Sequence, residues 1–265
     1  NQAADVETAP AVSNDTVEWV ESTKTANGEN YVEAIPDISK TNTYNYISYY
    51  STSEKVAKKQ NSAEKSLKDL CDSYFKLGFG ITGYSNENCA VKLPKYMELG
   101  AEHFSSCTLT NLMKPSYILN QKKSISNYKN GNQEPVLDFS SADASLKWCM
   151  KNGVQMRGHT LVWHTQAPEW FFKEGYSDKG ELVSREVMLV RMDSMIRQYL
   201  TYVQENYPGV VYCWDVVNEA VEPGINEYNL RDSYWYRTIG ADYIYYAFKY
   251  AREYSQKYAK EYASI

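Results

Sequence analysis

The stretch VVYCWDVVNEAVEPG, residues 210–224, runs from an apolar segment directly into an amide and a carboxylate. Residues 210–217 are rich in valine and aromatic side chains, as in a buried strand. Asn218 and Glu219 follow at once. Glutamate is among the costliest side chains to remove from water. A buried strand that ends on one therefore makes Glu219 the first candidate for a functional residue.

Composition limits the classes of protein that need to be considered. The chain has 265 residues, of which 43% are hydrophobic and 23% are charged, as in a globular domain. The net charge is -5 and no basic stripe follows the sequence, so nucleic acid is not an expected partner. There is no run of 18 apolar residues, so no membrane-spanning helix is predicted.

Cysteine and aromatic content leave two questions open. The five cysteines contain no CxxC pair, so zinc ligation is not expected from their spacing, and small buried side chains are the simplest interpretation. No cofactor is predicted. At most two disulfides are possible, and the sequence does not choose the pairs. The 25 tyrosines and 6 tryptophans suit ordinary packing or, at the right positions, stacking on sugars.

The order of predicted elements indicates an α/β fold. Residues 1–50 are rich in Thr, Asn, Ser and Ala and are predicted to be a linker or surface arm, and a folded domain is expected over 51–265. Residues 116–136 are expected to form a polar loop. Strands are predicted at 79–84, 103–109, 154–163 and 210–219, and helices at about 53–77, 91–100, 140–153, 184–207 and 234–262.

Alternating strands and helices predict a parallel sheet with helices outside it. The last two predicted strands begin about 56 residues apart, as counted from their starts at 154 and 210. The same interval places a fifth strand at about residue 266. We therefore expect about four βα units in this chain.

Polar side chains follow three successive predicted strands at their carboxyl ends, where function gathers in parallel α/β folds. Amide, ammonium, imidazole, indole and carboxylate groups would meet there, which suits a ligand with many hydroxyls and a flat apolar face, such as a sugar. This set comprises Asn111, Lys114, His159, Trp163, His164, Gln166, Asn218 and Glu219.

Each member of this set also has an ordinary structural interpretation. His159 and His164 are five positions apart, whereas zinc-binding helices use a spacing of four with Glu between. Trp163 could belong to the core, Lys114 could be merely exposed, and Asn218 could cap a helix. Their coincidence at three strand ends favours the functional interpretation.

Two long motifs resemble a known family. RGHTLVWHTQAPEWFF (157–172) and WDVVNEAV (214–221) are similar to the signature stretches of glycoside hydrolase family 10, the retaining endo-β-1,4-xylanases. HFSSCTLTNLMKP (103–115) and the segments 138–160 and 234–253 are also similar. The resemblance covers about residues 65 to 265.

The resemblance implies a TIM (β/α)8 barrel that cleaves internal β-1,4 bonds of xylan, with about its first four βα units in this chain. It implies a secreted protein whose partner is xylan or a xylo-oligosaccharide, and a cis peptide bond after His159. Glu219 matches the general acid/base of the family. The matched sugar-binding positions are Asn111, Lys114, His159, Trp163, Gln166 and Asn218.

Two departures from the family pattern are visible. The family usually carries Glu at the positions of Thr110 and Leu112. The Glu matched by Thr110 contacts sugar hydroxyls in the family, so sugar binding on the non-reducing side is expected to be weaker. Retaining glycosidases also need a second carboxylate about 5–5.5 Å from the first, and the family places it on the seventh strand. Glu222 lies in the same loop as Glu219 and cannot face it across a barrel. We therefore expect this chain alone to be inactive.

Strand parity gives a further expectation. Asp215 shares a face with Glu219, and Arg157 shares a face with His159 on the preceding strand. A buried Asp needs a partner, so Asp215 is predicted to hydrogen-bond to Arg157 or His159.

Three interpretations remain open at this point. The chain could be part of a xylanase, a non-catalytic xylan-binding fragment, or a related retaining β-glycanase that acts on cellulose or mixed-linkage glucan. In each case four parallel strands would leave open sheet edges, so self-association is expected.

Overall fold

The computed structural model describes residues 19–26, 29–36 and 65–259, with side chains described over 65–256. The chain divides into two compact units, Asn1–Glu64 and Lys65–Ile265. In the first unit, strand β1 (Trp19–Ala26) pairs antiparallel with β2 (Glu29–Pro36). The linker or arm predicted over 1–50 stays a prediction, since most of it lies outside the described residues.

The second unit is built on a parallel sheet. Its four strands lie in chain order, each paired with the next, which confirms the predicted α/β class. They are β3 (Gly78–Ile81), β4 (Ser106–Leu109), β5 (Gln155–Gly158) and β7 (Val211–Trp214).

A second, short parallel ladder extends two of these strands. β6 (Val162–Trp163) pairs with β8 (Val217–Asn218), so that Trp163 lies opposite Asn218. Each of the predicted strands 154–163 and 210–219 is therefore two shorter strands with a break between them. The break places the two motif segments side by side at the carboxyl end of the sheet.

Helices follow the strands as expected for βα units. Single 3-10 turns lie at Ala90–Lys92, Glu169–Phe172 and Glu174–Tyr176. The helices are α1 (Leu67–Cys71), α2 (Pro94–His103), α3 (Pro115–Ile118), α4 (Gln121–Lys129), α5 (Ser140–Asn152), α6 (Arg185–Asn206), α7 (Tyr234–Ile239) and α8 (Tyr243–Ala259).

The ends of the two long central helices are set by their capping residues. Gly153 adopts a left-handed conformation with φ of 66° and ends α5, as predicted. The Ser184 side chain accepts a hydrogen bond from the Val187 amide and starts α6. α6 packs against α8, where the Tyr254 hydroxyl donates to Asp193 at 2.8 Å. None of the helices in the described part is long and apolar enough to span a membrane.

Three predicted segments differ from the structure. The loop expected over 116–136 contains α3 and α4, because Pro115 opens one helix and the Asn120 side chain caps the other. The helix predicted to reach Leu77 ends at Cys71, and its predicted beginning lies outside the described residues. The last predicted helix is interrupted at Gly240, whose φ is 104°.

The core contains three of the five cysteines, Cys89, Cys107 and Cys149, together with the charged side chain of Arg191. All five cysteines are free, and the Cys107 and Cys149 sulfurs lie 3.3 Å apart between β4 and α5. Arg191 is fully buried on α6, where its guanidinium donates to the Phe171 and Lys173 carbonyls and stacks 3.8 Å above the Tyr176 ring centroid. These contacts anchor the segment 171–176, which follows the predicted site.

Candidate active site

The carboxyl ends of β4 and β6 bring three predicted residues into one hydrogen-bonded cluster. Lys114 Nζ donates to Asn111 Oδ1 at 3.2 Å and to Gln166 Oε1 at 2.6 Å. Asn111 in turn donates to the Gly83 carbonyl at 3.1 Å. Lys114 and Asn111 are only 7% and 8% exposed, so the cluster is held rigidly in place.

The Lys114 ammonium is a buried charge with remaining donor capacity. Burial lowers its pKa, and the nearby Glu219 carboxylate opposes that shift. An ammonium has three hydrogens, two of which are directed at Asn111 and Gln166. Its Nζ also lies 4.8 Å from the centroid of the Trp163 ring. A third hydrogen can therefore meet a hydroxyl that is placed over this ring.

Asp215 lies between Arg157 and His159, as strand parity predicted. Arg157 donates to Asp215 Oδ1 from Nε at 2.7 Å and from a terminal nitrogen at 2.5 Å. His159 Nδ1 lies 2.9 Å from Asp215 Oδ2. A carboxylate only accepts, so Nδ1 carries the hydrogen and Nε2 is left as an acceptor for a ligand. The His159–Thr160 peptide bond is cis, as the resemblance implied.

Glu219 lies at the carboxyl end of the sheet, directly after β8. Its backbone has a φ of 50°, and its side chain is 55% exposed. The Trp163 indole donates to Glu219 Oε2 at 2.9 Å, while the Trp163 carbonyl accepts from Trp235 Nε1 at 3.0 Å. The carboxylate is thus both reachable from solvent and fixed by an indole whose own position is fixed.

His164 lies near the same carboxylate oxygen that accepts from Trp163. Its Nε2 is 4.0 Å from Glu219 Oε2, and its Nδ1 is buried without a hydrogen-bond partner among the described residues. Burial lowers the pKa of His164, and Arg231 adds to that effect, whereas Glu219 and Glu222 oppose it. The neutral imidazole is therefore favoured beside the Glu219 carboxylate.

The structure thus brings most of the predicted residues together. Asn111, Lys114 and Gln166 share direct bonds, and Trp163 bonds to Glu219. The remaining two predicted residues, His159 and Asn218, lie beside and opposite Trp163: the ring centroids of His159 and Trp163 are 5.8 Å apart, and Asn218 pairs with Trp163 in register.

The two departures from the family pattern lie beside this cluster. Thr110 is half-buried, and its Oγ1 is 3.5 Å from Asn111 Nδ2. Leu112 is a core residue with 1% exposure. Neither position supplies a carboxylate to the rim.

One residue of the site was missed by sequence reasoning. Arg231 donates from Nε to the Glu219 carbonyl at 3.1 Å and pairs with Glu222 Oε2 at 3.1 Å. It lies twelve positions beyond Glu219 in an irregular loop, so no periodic pattern points to it.

A groove of about 470 Å³ between α5 and α6 is lined by Phe139, Asp143 and Tyr202 and contains none of the site residues. No group of three His, Cys, Asp or Glu that could hold a metal ion occurs among the residues whose placement is described.

A parallel α/β sheet with a carboxylate and sugar-type hydrogen-bonding groups at its carboxyl rim is the arrangement of barrel-type glycoside hydrolases. The sequence model described as Glycosyl hydrolase family 10 matches residues 66–262, which is most of the second unit. The chain therefore belongs to glycosyl hydrolase family 10, and its parallel sheet is part of the TIM barrel of that family.

Relatives of known identity agree with this assignment. Endo-1,4-beta-xylanase B of Butyrivibrio fibrisolvens is 40% identical over 187 residues, which cover 71% of this chain and 28% of that protein. Endo-1,4-beta-xylanase A of Thermotoga maritima is 41% identical over 187 residues, covering 71% and 16%.

Solved structures show the same partial coverage. The CBM22-1 and GH10 modules of a Clostridium thermocellum xylanase, crystallised with xylohexaose, match with a TM-score of 0.64 at 32% identity, covering 74% of this chain and 39% of that one. The Caldicellulosiruptor owensensis xylanase matches with a TM-score of 0.56 at 36% identity, covering 73% and 51%. The chain thus spans about half or less of the lengths of these relatives.

Proposed function

We propose that this chain supplies the acid/base half of the active site of a retaining endo-1,4-β-xylanase. The observation that carries the proposal is the Glu219 carboxylate, which is half-exposed at the rim and held at 2.9 Å by the Trp163 indole. A catalytic proton donor must be accessible to the substrate and must also be held in one orientation. Glu219 meets both requirements.

In the proposed first step, Glu219 donates its proton to the glycosidic oxygen as the bond to the anomeric carbon breaks. A second carboxylate attacks the anomeric carbon and forms a glycosyl-enzyme intermediate. Water then hydrolyses this intermediate, with Glu219 accepting the proton of the water. Glu219 is therefore restored after each cycle.

The attacking carboxylate is proposed to come from outside this sequence. Glu222 is the nearest acidic residue along the chain, but it lies in the same loop and is paired with Arg231 at 3.1 Å. Retaining chemistry needs a carboxylate across the substrate from Glu219. We therefore expect this chain to bind xylan fragments without hydrolysing them.

Sugar recognition is proposed to use the groups that line the rim. Lys114, with its free hydrogen, and His159, through Nε2, can bond hydroxyls, while the Trp163 face supports a pyranose ring. Asn218 is proposed to bind the 2-hydroxyl at the cleavage site, and Asn111 and Gln166 to contact the same sugar units. Two structurally similar xylanases, one from Clostridium thermocellum and one from Thermoanaerobacterium saccharolyticum, were crystallised with xylohexaose and xylotetraose, which supports this substrate class.

Binding is tested by calorimetric titration of the chain with xylohexaose. We expect Lys114→Ala to weaken binding about 10- to 100-fold, because a charge-assisted hydrogen bond at a rigid site is lost. Lys173→Ala is the matched control, since Lys173 lies outside the rim and pairs with Glu169. Equal affinity for cellohexaose would favour the β-glycanase alternative, and absence of binding to either sugar would contradict the proposal.

Catalysis is tested by adding a second polypeptide that carries the remaining part of a family 10 barrel, taken from the Caldicellulosiruptor owensensis xylanase. We expect the mixture to release reducing sugars from xylan, and Glu219→Gln to abolish that release. A mixture that assembles but stays inactive would favour the alternative of a non-catalytic xylan-binding fragment.

Secretion of the protein also stays a proposal. The Thermoanaerobacterium saccharolyticum relative is described as an intracellular xylanase, so family membership does not fix the location. Detection of the protein in the medium rather than in the cells of its source would test the expectation.

A further inference from the structure

The loop that follows Glu219 is closed on itself by backbone bonds. The Arg231 amide donates to the Ala220 carbonyl at 2.8 Å, and the Glu222 amide donates to the Asn229 carbonyl at 2.8 Å. Val221 and Leu230 form an antiparallel bridge between these bonds. The loop therefore returns to its starting point and places Arg231 directly beside Glu219.

The Arg231 side chain binds two residues on the first arm of this loop, Glu219 and Glu222. Its Nε donates to the carbonyl of Glu219, and a terminal nitrogen pairs with the Glu222 carboxylate, each at 3.1 Å. The side chain is 31% exposed, so these bonds are partly shielded from water. A planar guanidinium can hold two acceptors in fixed directions, which an ammonium does less well.

We propose that Arg231 is a positioning residue that holds Glu219 in the orientation needed for proton transfer. Glu219 has a φ of 50°, which is uncommon for a residue with a side chain and persists only where the surroundings hold it. This backbone turns the Glu219 carbonyl toward Arg231 and the carboxylate toward Trp163. That Arg231 orients Glu219 is inferred from the geometry alone. That this orientation serves proton transfer rests on the proposed function.

The consequence of losing Arg231 follows from these contacts. Without the Nε bond, the left-handed backbone of Glu219 has no side-chain restraint on its carbonyl from this loop. The residue is then free to relax toward an ordinary conformation, which carries the carboxylate away from the Trp163 indole. The bond between Trp163 Nε1 and Glu219 Oε2 reports directly on that movement.

The test follows the indole N–H resonance of Trp163 by NMR, assigned with Trp163→Phe. In the unmodified chain we expect this resonance to move with pH as Glu219 ionises, and Glu219→Gln to abolish the movement. Arg231→Ala is expected to abolish it as well, and Arg231→Lys to leave part of it. The other tryptophan indole resonances and the circular dichroism spectrum should stay unchanged, which separates positioning from unfolding.

Arg237→Ala is the matched control. Arg237 belongs to the same region and makes a similar two-point pair with Asp232, but its hydrogen bonds go to Asp232 rather than to Glu219. We expect this variant to keep the pH response of Trp163. An Arg231→Ala variant that also keeps the response would overturn the inference.

Kinetics are measured on the complemented enzyme, which is this chain mixed with the polypeptide that carries the remaining part of the barrel. Arg231→Ala is expected to lower kcat roughly 10- to 100-fold with little change in KM, because a misplaced proton donor affects the chemical step more than binding. A rise in KM with kcat unchanged would contradict positioning. If Glu219 has no catalytic role, the complemented enzyme will fail this assay while the NMR result still decides whether Arg231 orients Glu219.

Discussion

At the scale of single residues, the surroundings of His164 disfavour its protonated form. Its ring is largely buried, its Nδ1 has no hydrogen-bond partner among the described residues, and Arg231 lies near enough to lower its pKa further. The two glutamates nearby offset only part of this effect. The folded state therefore binds a proton at His164 less readily than the unfolded chain does.

This difference gives stability a pH dependence of known sign. Because the pKa of His164 is lowered on folding from the ordinary value of 6.5, the unfolded chain takes up the proton first as pH falls. Stability is thus lost progressively from about pH 6.5 down to the folded pKa. We expect His164→Gln to flatten this part of the profile, measured by urea unfolding between pH 5 and 8. A variant profile parallel to the parent over that range would rule out the contribution of His164.

Much of the site was predictable because it follows strand ends. Asn111, Lys114 and Gln166 were placed on one rim by the positions of their strands, and they are directly bonded there. Asp215 was paired correctly from alternation alone. Arg231 was not predictable, since its place depends on the left-handed conformations of Glu219 and Asn229, which neither composition nor periodicity indicates.

At the scale of secondary structure, β5 has no room for a side chain at Gly158, because the ring of Trp214 on the neighbouring strand β7 fills that space. A Cβ atom on Gly158 would lie 2.3 Å from Trp214 Cε3, and Trp214 is itself packed edge-on against the buried Tyr199. The close approach of the two strands therefore requires glycine at this position. The same residue directly precedes His159, so the contact also bears on the site.

We expect Gly158→Ala to destabilise the fold by about 1–3 kcal/mol, because the half-buried Trp214 must shift from its packed position against the core. Gly80→Ala is the control in the same sheet, where the added Cβ would lie 3.3 Å from Thr110 Cγ2 and a small shift suffices. Chemical unfolding of the two variants measures the difference. Equal stabilities would show that Trp214 yields without cost.

The helix α4 was predicted to be part of a polar loop, because its sequence has no helical pattern of apolar residues. Only Ser124 is buried among its nine residues, so the helix has no apolar stripe that a periodic analysis could detect. It is held by polar contacts: Asn120 caps it, and the Ser124 hydroxyl accepts from the Val136 amide at 3.0 Å. By contrast, α5 and α6 bury apolar side chains along one face and were placed to within about a residue.

At the scale of the whole chain, the parallel sheet has two outer strands. Within the described residues, β3 pairs only with β4, and β7 continues the sheet only toward β5. Unpaired strand edges offer rows of amide and carbonyl groups to other chains. A barrel has no such edges because its first and last strands are joined.

We therefore propose that the isolated chain associates with itself. Sedimentation velocity is expected to show an average mass that rises with concentration above the 30.5 kDa of one chain. Addition of the complementing half-barrel should suppress this rise, because it covers the same edges. A single species of 30.5 kDa at all concentrations would contradict the proposal.

The short ladder between β6 and β8 bears on the proposed binding of a sugar. The Leu161 and Val162 amides donate to the Asp215 and Val216 carbonyls at 3.1 and 3.0 Å, so the two motif segments are joined before any ligand arrives. Deuterium should accordingly enter these amides slowly even in the empty protein. If the proposed function is correct, little chain entropy then remains to be lost on docking, and selectivity among polysaccharides would depend on the fit of the sugar itself rather than on closure of the protein around it.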